Sequence, residues 1–89
     1  MGRIVANVRS DVASARRRSG MTQQQLGALV GVSRQTVVEI EAGGYNPSTA
    51  IALRLAVVLE APVEELFALP EDEVAQLRTR RDETRSEIR

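Results

Sequence analysis

Apolar residues recur along this chain at helical spacing, and the glycines and prolines fall between the apolar groups. Val8, Val12 and Ala15 stand at i, i+4 and i+7, which predicts a first helix over about residues 6–18 that stops before Gly20. Thr22-Gln23-Gln24-Gln25 reads as a capping box, with Thr22 as the N-cap and Gln25 reaching back from the third helical position. The second helix, over about 23–30, is then expected to bury Leu26, Leu29 and Val30, and Gly31 stands where a C-terminal glycine belongs. Ser33 is placed to cap a third helix over about 34–42, with Val37 and Ile40 inward and Gly43-Gly44 ending it. After a loop at Tyr45-Asn46-Pro47-Ser48, Ser48 can cap a fourth helix over about 49–60 built on Ile51, Leu55 and Val58. Pro62 opens a short fifth helix over about 62–68, with Glu64 and Glu65 in the first turn, where the helix dipole favours acids. Only Ile4-Val5 hints at a strand, so the expected class is all-α.

From Pro70 the composition changes. Pro70-Glu71-Asp72-Glu73 is followed by Arg78, Arg80, Arg81, Arg85 and Arg89, an order that favours a helix. Only Val74, Leu77, Thr84 and Ile88 could form an apolar stripe, so the segment reads equally as a helix or as a frayed tail. Residues 1–69 are accordingly read as one domain and residues 70–89 as a C-terminal tail. If that tail packs, a partner subunit is the expected surface. Leu66 is expected in the core, and Phe67 in a mixed position at its edge.

The chemistry available is narrow. Among 89 residues there is no cysteine and no histidine, and all twelve basic residues are arginine. No disulfide or thiolate metal site can form, the commonest metal ligand and general base are missing, and no lysine can form a Schiff base. No cofactor and no metal are expected, and the composition argues against an enzyme. No apolar run approaches the 18 residues of a membrane span, and residues 1–20 lack the apolar core of a signal peptide. A cytoplasmic protein with no membrane contact is expected.

The formal net charge is zero, but it is a cancellation. Residues 1–36 carry six arginines against Asp11, residues 37–75 carry Arg54 against eight acids, and residues 76–89 carry five arginines against three acids. The balances are +5, −7 and +2, so a basic first third is available to meet a polyanion.

The second and third predicted helices are separated only by Gly31-Val32-Ser33, the spacing of a helix-turn-helix, whose second helix enters the DNA major groove. The outward positions of that third helix are Arg34, Gln35, Val38 and Glu39. An arginine fork reads guanine O6 and N7, and a glutamine amide reads adenine N6 and N7. An ordinary surface helix would carry the same residue types, since both are good helix formers.

Residues 8–68 resemble the Cro and phage-repressor type of helix-turn-helix domain, a five-helix, lambda-repressor-like, XRE-like family. The resemblance rests on Arg16, on Gly20-Met21-Thr22-Gln23-Gln24-Gln25-Leu26, and on Val30-Gly31-Val32-Ser33-Arg34-Gln35-Thr36-Val37. Glu39-Ile40-Glu41-Ala42-Gly43, Tyr45-Asn46-Pro47-Ser48 and Val63-Glu64-Glu65-Leu66-Phe67 continue it in register. It implies that Arg34, Gln35 and Glu39 read bases. It further implies that Gln23 binds a backbone phosphate, with Thr22, Ser33, Thr36, Tyr45 and Asn46 near phosphate or sugar. Arg16 and Glu41 correspond to an ion pair tying the first helix to the end of the third, with Arg16 either a clamp alone or also a phosphate contact. Arg17 and Arg18 suit the C-terminal dipole of the first helix.

Three positions depart from the family pattern. Gly44 stands where a basic residue is common, Glu39 is an acid on the DNA-facing side, and Glu60 occupies a C-cap that is usually glycine. The function implied is sequence-specific binding of double-stranded DNA by a transcriptional regulator, with repression as a homodimer on a palindromic operator as the default. A restriction-modification controller or an antitoxin would look similar. A protein-interaction module that keeps the fold without specific DNA binding is the alternative.

Overall fold

The computed structural model describes residues 8–88, so the Ile4-Val5 strand signal, residues 6–7 of the expected first helix, Arg3 and Arg89 lie outside the described residues. Among the described residues the order is β1 (Arg9–Ser10), α1 (Val12–Arg18), α2 (Gln23–Val30), α3 (Arg34–Ala42), α4 (Thr49–Leu59), α5 (Val63–Leu66), β2 (Phe67–Ala68) and α6 (Glu71–Ile88). Among the described residues the fold is a helical bundle closed by one minimal strand pair.

Each long turn is set by its punctuation. Thr22 Oγ1 accepts from the Gln25 backbone N–H at 3.0 Å, and Gln25 Oε1 accepts from the Thr22 N–H at 2.9 Å, completing the capping box. Ser33 and Ser48 cap α3 and α4 in the same way, accepting from Thr36 and Ile51. Gly31 and Gly43 end α2 and α3 in the left-handed region, which costs glycine no side-chain clash. Glu60 ends α4 with φ 54° and ψ 46°, the strained cap that its position implied.

The core is Val12, Ala15, Leu26, Val30, Val37, Ile40, Leu55, Leu59 and Leu66, drawn from all five helices of the bundle. α2 packs on α3 and α4, α1 on α3, and α5 on α4. Three inward assignments from periodicity are corrected. Leu29 is 60% exposed, and α2 instead turns Leu26, Gly27 and Val30 inward. The reason is steric: a Cβ on Gly27 would lie 2.7 Å from the Val32 carbonyl oxygen, so the chain after α2 folds back onto a face that holds no side chain. In α4, Leu55 and Leu59 are buried while Ile51 and Val58 are only half-buried, because the inward stripe runs at i, i+4.

The ends of the bundle also differ from expectation. The first helix begins at Val12, and Val8 is half-buried outside it. Arg9 and Ser10 pair antiparallel with Ala68 and Phe67, and the Asp11 N–H donates to the Leu66 carbonyl at 2.9 Å. The backbone donors that another helical turn would have used are satisfied across the strand pair instead. The same pairing shortens the fifth helix to Val63–Leu66. Leu66 is buried and Phe67 half-buried.

Candidate nucleic-acid interface

α2, the turn Gly31-Val32-Ser33 and α3 form one rigid corner. The Gly31 and Val32 N–H groups both donate to the Gly27 carbonyl at 2.9 Å, and Val32 packs against the core. Arg54 of α4 donates through Nη1 to the Val30 carbonyl at 3.2 Å, satisfying an acceptor that the end of α2 leaves open. With Val37 and Ile40 buried on one side of α3, its other side is fixed outward. Arg34, Gln35 and Glu39 are exposed there, and Thr36 and Val38 are half-buried. Thr36 Oγ1 lies 3.0 Å from Ser33 Oγ, so the two hydroxyls share one hydrogen bond at the start of α3.

Arg16 and Glu41 form the interhelical pair. Arg16 Nε donates to Glu41 Oε2 at 2.6 Å and Nη2 donates to Oε1 at 3.2 Å, while Nη1 donates to the Met21 carbonyl at 2.9 Å. The side chains are 11% and 7% exposed, so the pair is largely removed from water. The hydrogen bond to Glu41 raises the Arg16 pKa against the opposing effect of burial. Burial disfavours the ionised Glu41, but hydrogen bonds from Arg16 and Gln23 and the charges of Arg16 and Arg17 outweigh it, holding the carboxyl below its ordinary range. Gln23 Nε2 donates to Glu41 Oε1 at 3.1 Å, so the residue expected to meet phosphate is itself oriented by this pair.

A shallow cleft of about 360 Å³ is lined by Arg16, Met21, Thr22, Gln23, Gln24 and Arg34. It opens at the N-terminus of α2, whose first N–H groups have no partner within the helix and whose dipole favours an anion. Arg16, Thr22, Gln23 and Arg34 thus come together around one opening. Tyr45 and Asn46 lie in the loop after α3, at the far end of that helix from Arg34, with Tyr45 37% exposed. Gln24 joins the cleft unforeseen, although its place beside Gln23 in the first turn of α2 was a usable signal. Gly27 and Arg54, which hold the corner together, left none, since their roles depend on tertiary contact.

A family model described as helix-turn-helix matches residues 12–66, from the first residue of α1 to the last of α5. The chain belongs to the helix-turn-helix family of Cro and phage-repressor type. An uncharacterized HTH-type transcriptional regulator of Archaeoglobus fulgidus is 40% identical over 67 residues, covering 75% of this chain and 96% of the relative. Another such regulator, from Bacillus subtilis, is 40% identical over 65 residues, covering 73% and 98%. Among solved structures, the restriction-modification controller protein of Aeromonas hydrophila is similar with a TM-score of 0.58 and 34% identity, over 63% of this chain and 85% of that one. A hypothetical transcription factor from Neisseria gives 0.59 and 25%, over 78% and 76%. This family membership implies binding to DNA in the regulation of transcription. Among the described residues, no helix is long and apolar enough to cross a membrane.

Proposed function

We propose that this chain is a sequence-specific double-stranded-DNA-binding regulator that represses transcription as a homodimer on a palindromic operator. The observation that carries the reading is the outward set Arg34, Gln35 and Glu39 on α3, held at the second helix of the corner by the burial of Val37 and Ile40. Arg34 and Gln35 stand in the first turn of α3, the end that reaches base edges first. Arg34 presents a fork for guanine, Gln35 an amide for adenine, and Glu39 an acceptor for the cytosine amino group. Thr36 offers its methyl group to thymine or its hydroxyl to phosphate.

The cleft at the start of α2 takes the phosphate. Gln23 keeps one amide hydrogen beyond the one given to Glu41, Thr22 keeps its O–H to donate, and the α2 N-terminus adds backbone donors. Ser33 stands at the N-terminus of α3, and Tyr45 and Asn46 extend the contact to the backbone beyond its other end. Arg16 acts chiefly as the clamp that orients Gln23, because all three of its guanidinium nitrogens already donate within the protein. One such domain spans too few base pairs for useful selectivity. Two copies on half-sites about one helical turn, roughly 34 Å, apart supply the remainder.

Substitution tests the division of labour. On the duplex the protein prefers, Arg34→Ala and Gln35→Ala should each cost about 1–3 kcal/mol and relax the preference at one base position. Gln23→Ala should weaken binding to all duplexes alike. Binding by both α3 variants that equals the parent's would remove α3 as the reading helix.

A further inference from the structure

α6 is an 18-residue helix with no buried residue, and Val74 alone along it is short of full exposure. A free helix of about 27 Å is marginal in water, and this one contains serine, two threonines and an internal aspartate, all weak helix formers. It lies outside the 12–66 span of the family match. Val74, Leu77, Arg81, Thr84 and Ile88 follow one another at alternating spacings of three and four, which places them on a single stripe. Leu77 is 44% and Ile88 76% exposed, and Leu69, Val74, Leu77, Arg78 and Arg81 line a shallow groove at the start of the helix.

Over residues 71–80 the charges are sorted along the helix axis. Glu71, Asp72 and Glu73 fill the first turn, Arg78, Arg80 and Arg81 follow, and Asp82, Glu83, Arg85 and Glu87 are mixed beyond them. Between Arg54 and Arg78 the chain holds six acids and no basic residue, and Glu60, Glu64 and Glu65 of that segment are exposed. That stretch carries no basic residue of its own, whereas Arg78 and Arg80 of a second α6 would supply two.

We propose that α6 is the self-association surface, pairing antiparallel with α6 of a second copy. This deepens the dimeric reading above and rests on it. With Val74 of each copy against Leu77 of the other, Glu71 of one falls beside Arg78 of the second and Glu73 beside Arg80. A parallel pair in register would set Arg80 against Arg85 of the partner, whereas the antiparallel pair leaves no like-charge contact on either flank of residues 71–80. The antiparallel pair is two-fold symmetric, as binding to a palindrome requires. Arg81 lays its alkyl stem along the stripe, and its guanidinium donates to Asp82 Oδ1 of the same helix at 3.0 Å and 3.1 Å at the exposed edge. Because the apolar stripe is thin, charge carries much of the specificity, and association weakens as salt rises.

Sedimentation equilibrium on the full chain tests this. The parent should form dimers whose dissociation constant rises between about 50 mM and 500 mM salt. The triple variant Glu71→Arg, Asp72→Arg, Glu73→Arg and the triple variant Arg78→Glu, Arg80→Glu, Arg81→Glu should each self-associate at least about tenfold more weakly. Mixing the two should restore dimers, now of one copy of each, and combining all six changes in one chain should restore self-association. That rescue separates a pairing role from mere damage to the helix. A parent that stays monomeric, or triple variants that dimerise like it, would overturn the proposal. Both triple variants should keep the parent's preference for its own half-site. Loss of sequence preference in a parent that still dimerises through α6 would sink the DNA reading and leave this surface standing.

Discussion

Glu41 is the residue on which three elements meet. It binds Arg16 of α1 and Gln23 of α2 from the end of α3, and its carboxyl is held below the ordinary carboxylate range. In the unfolded chain that carboxyl titrates at its ordinary, higher pKa, so at mildly acidic pH the unfolded state binds more protons. The stabilisation from Glu41 is therefore fully present above the ordinary carboxylate pKa of about 4.3 and disappears as pH falls through the lower folded value. Urea unfolding measured from pH 7 down to pH 3 should show this loss, and Glu41→Gln should flatten that part of the profile. At neutral pH, Glu41→Ala should cost about 2–3 kcal/mol, since it strands a shielded guanidinium, and it should also weaken DNA binding by releasing Gln23. Glu60 presents the opposite case. It holds a left-handed backbone at the end of α4, so Glu60→Gly should raise stability by about 0.5–1 kcal/mol, read as a higher urea midpoint.

At the scale of elements, the helices were legible wherever a cap and an apolar stripe agreed. Thr22 with Gln25, Ser33, Ser48, Gly31 and Gly43 each stand at the helix end that their side-chain chemistry dictates. What was not legible depends on pairing between distant segments. Two residues of strand are too short to show alternation, so Arg9–Ser10 read as helix until Phe67–Ala68 claimed its hydrogen bonds. Leu29 matched the helical period as well as Leu26, and only the backbone approach at Gly27 turned it outward. The α2–α3 corner depends on that missing side chain. Gly27→Ala should destabilise the domain by about 1–3 kcal/mol, because a clash with a backbone oxygen outweighs the better helix propensity of alanine. A rise in stability on that substitution, measured by urea unfolding, would show that the corner yields. The candidate reading residues were legible for a simpler reason: once Val37 and Ile40 point inward, the helical period alone sends Arg34, Gln35 and Glu39 out. The cleft's sixth member, Gln24, was legible in the same way, from its place beside Gln23 in the first turn of α2.

For the whole molecule, a net charge of zero conceals a division of labour. The basic first third contains α1, α2 and the start of α3, where the cleft and the outward arginine lie, and the acidic middle follows α3 away from them. A uniform charge would give no preferred face to a polyanion, whereas this distribution gives one. The central claim, that α3 reads a DNA sequence, is tested most directly by selecting from a random duplex library. The winning duplex is then titrated against a scrambled one by fluorescence anisotropy at two salt concentrations. The account predicts a palindromic winner bound about a thousandfold or more tighter than the scramble, with both affinities falling steeply as salt rises. Equal, weak binding to both duplexes that salt abolishes would contradict it, leaving a basic face without a code.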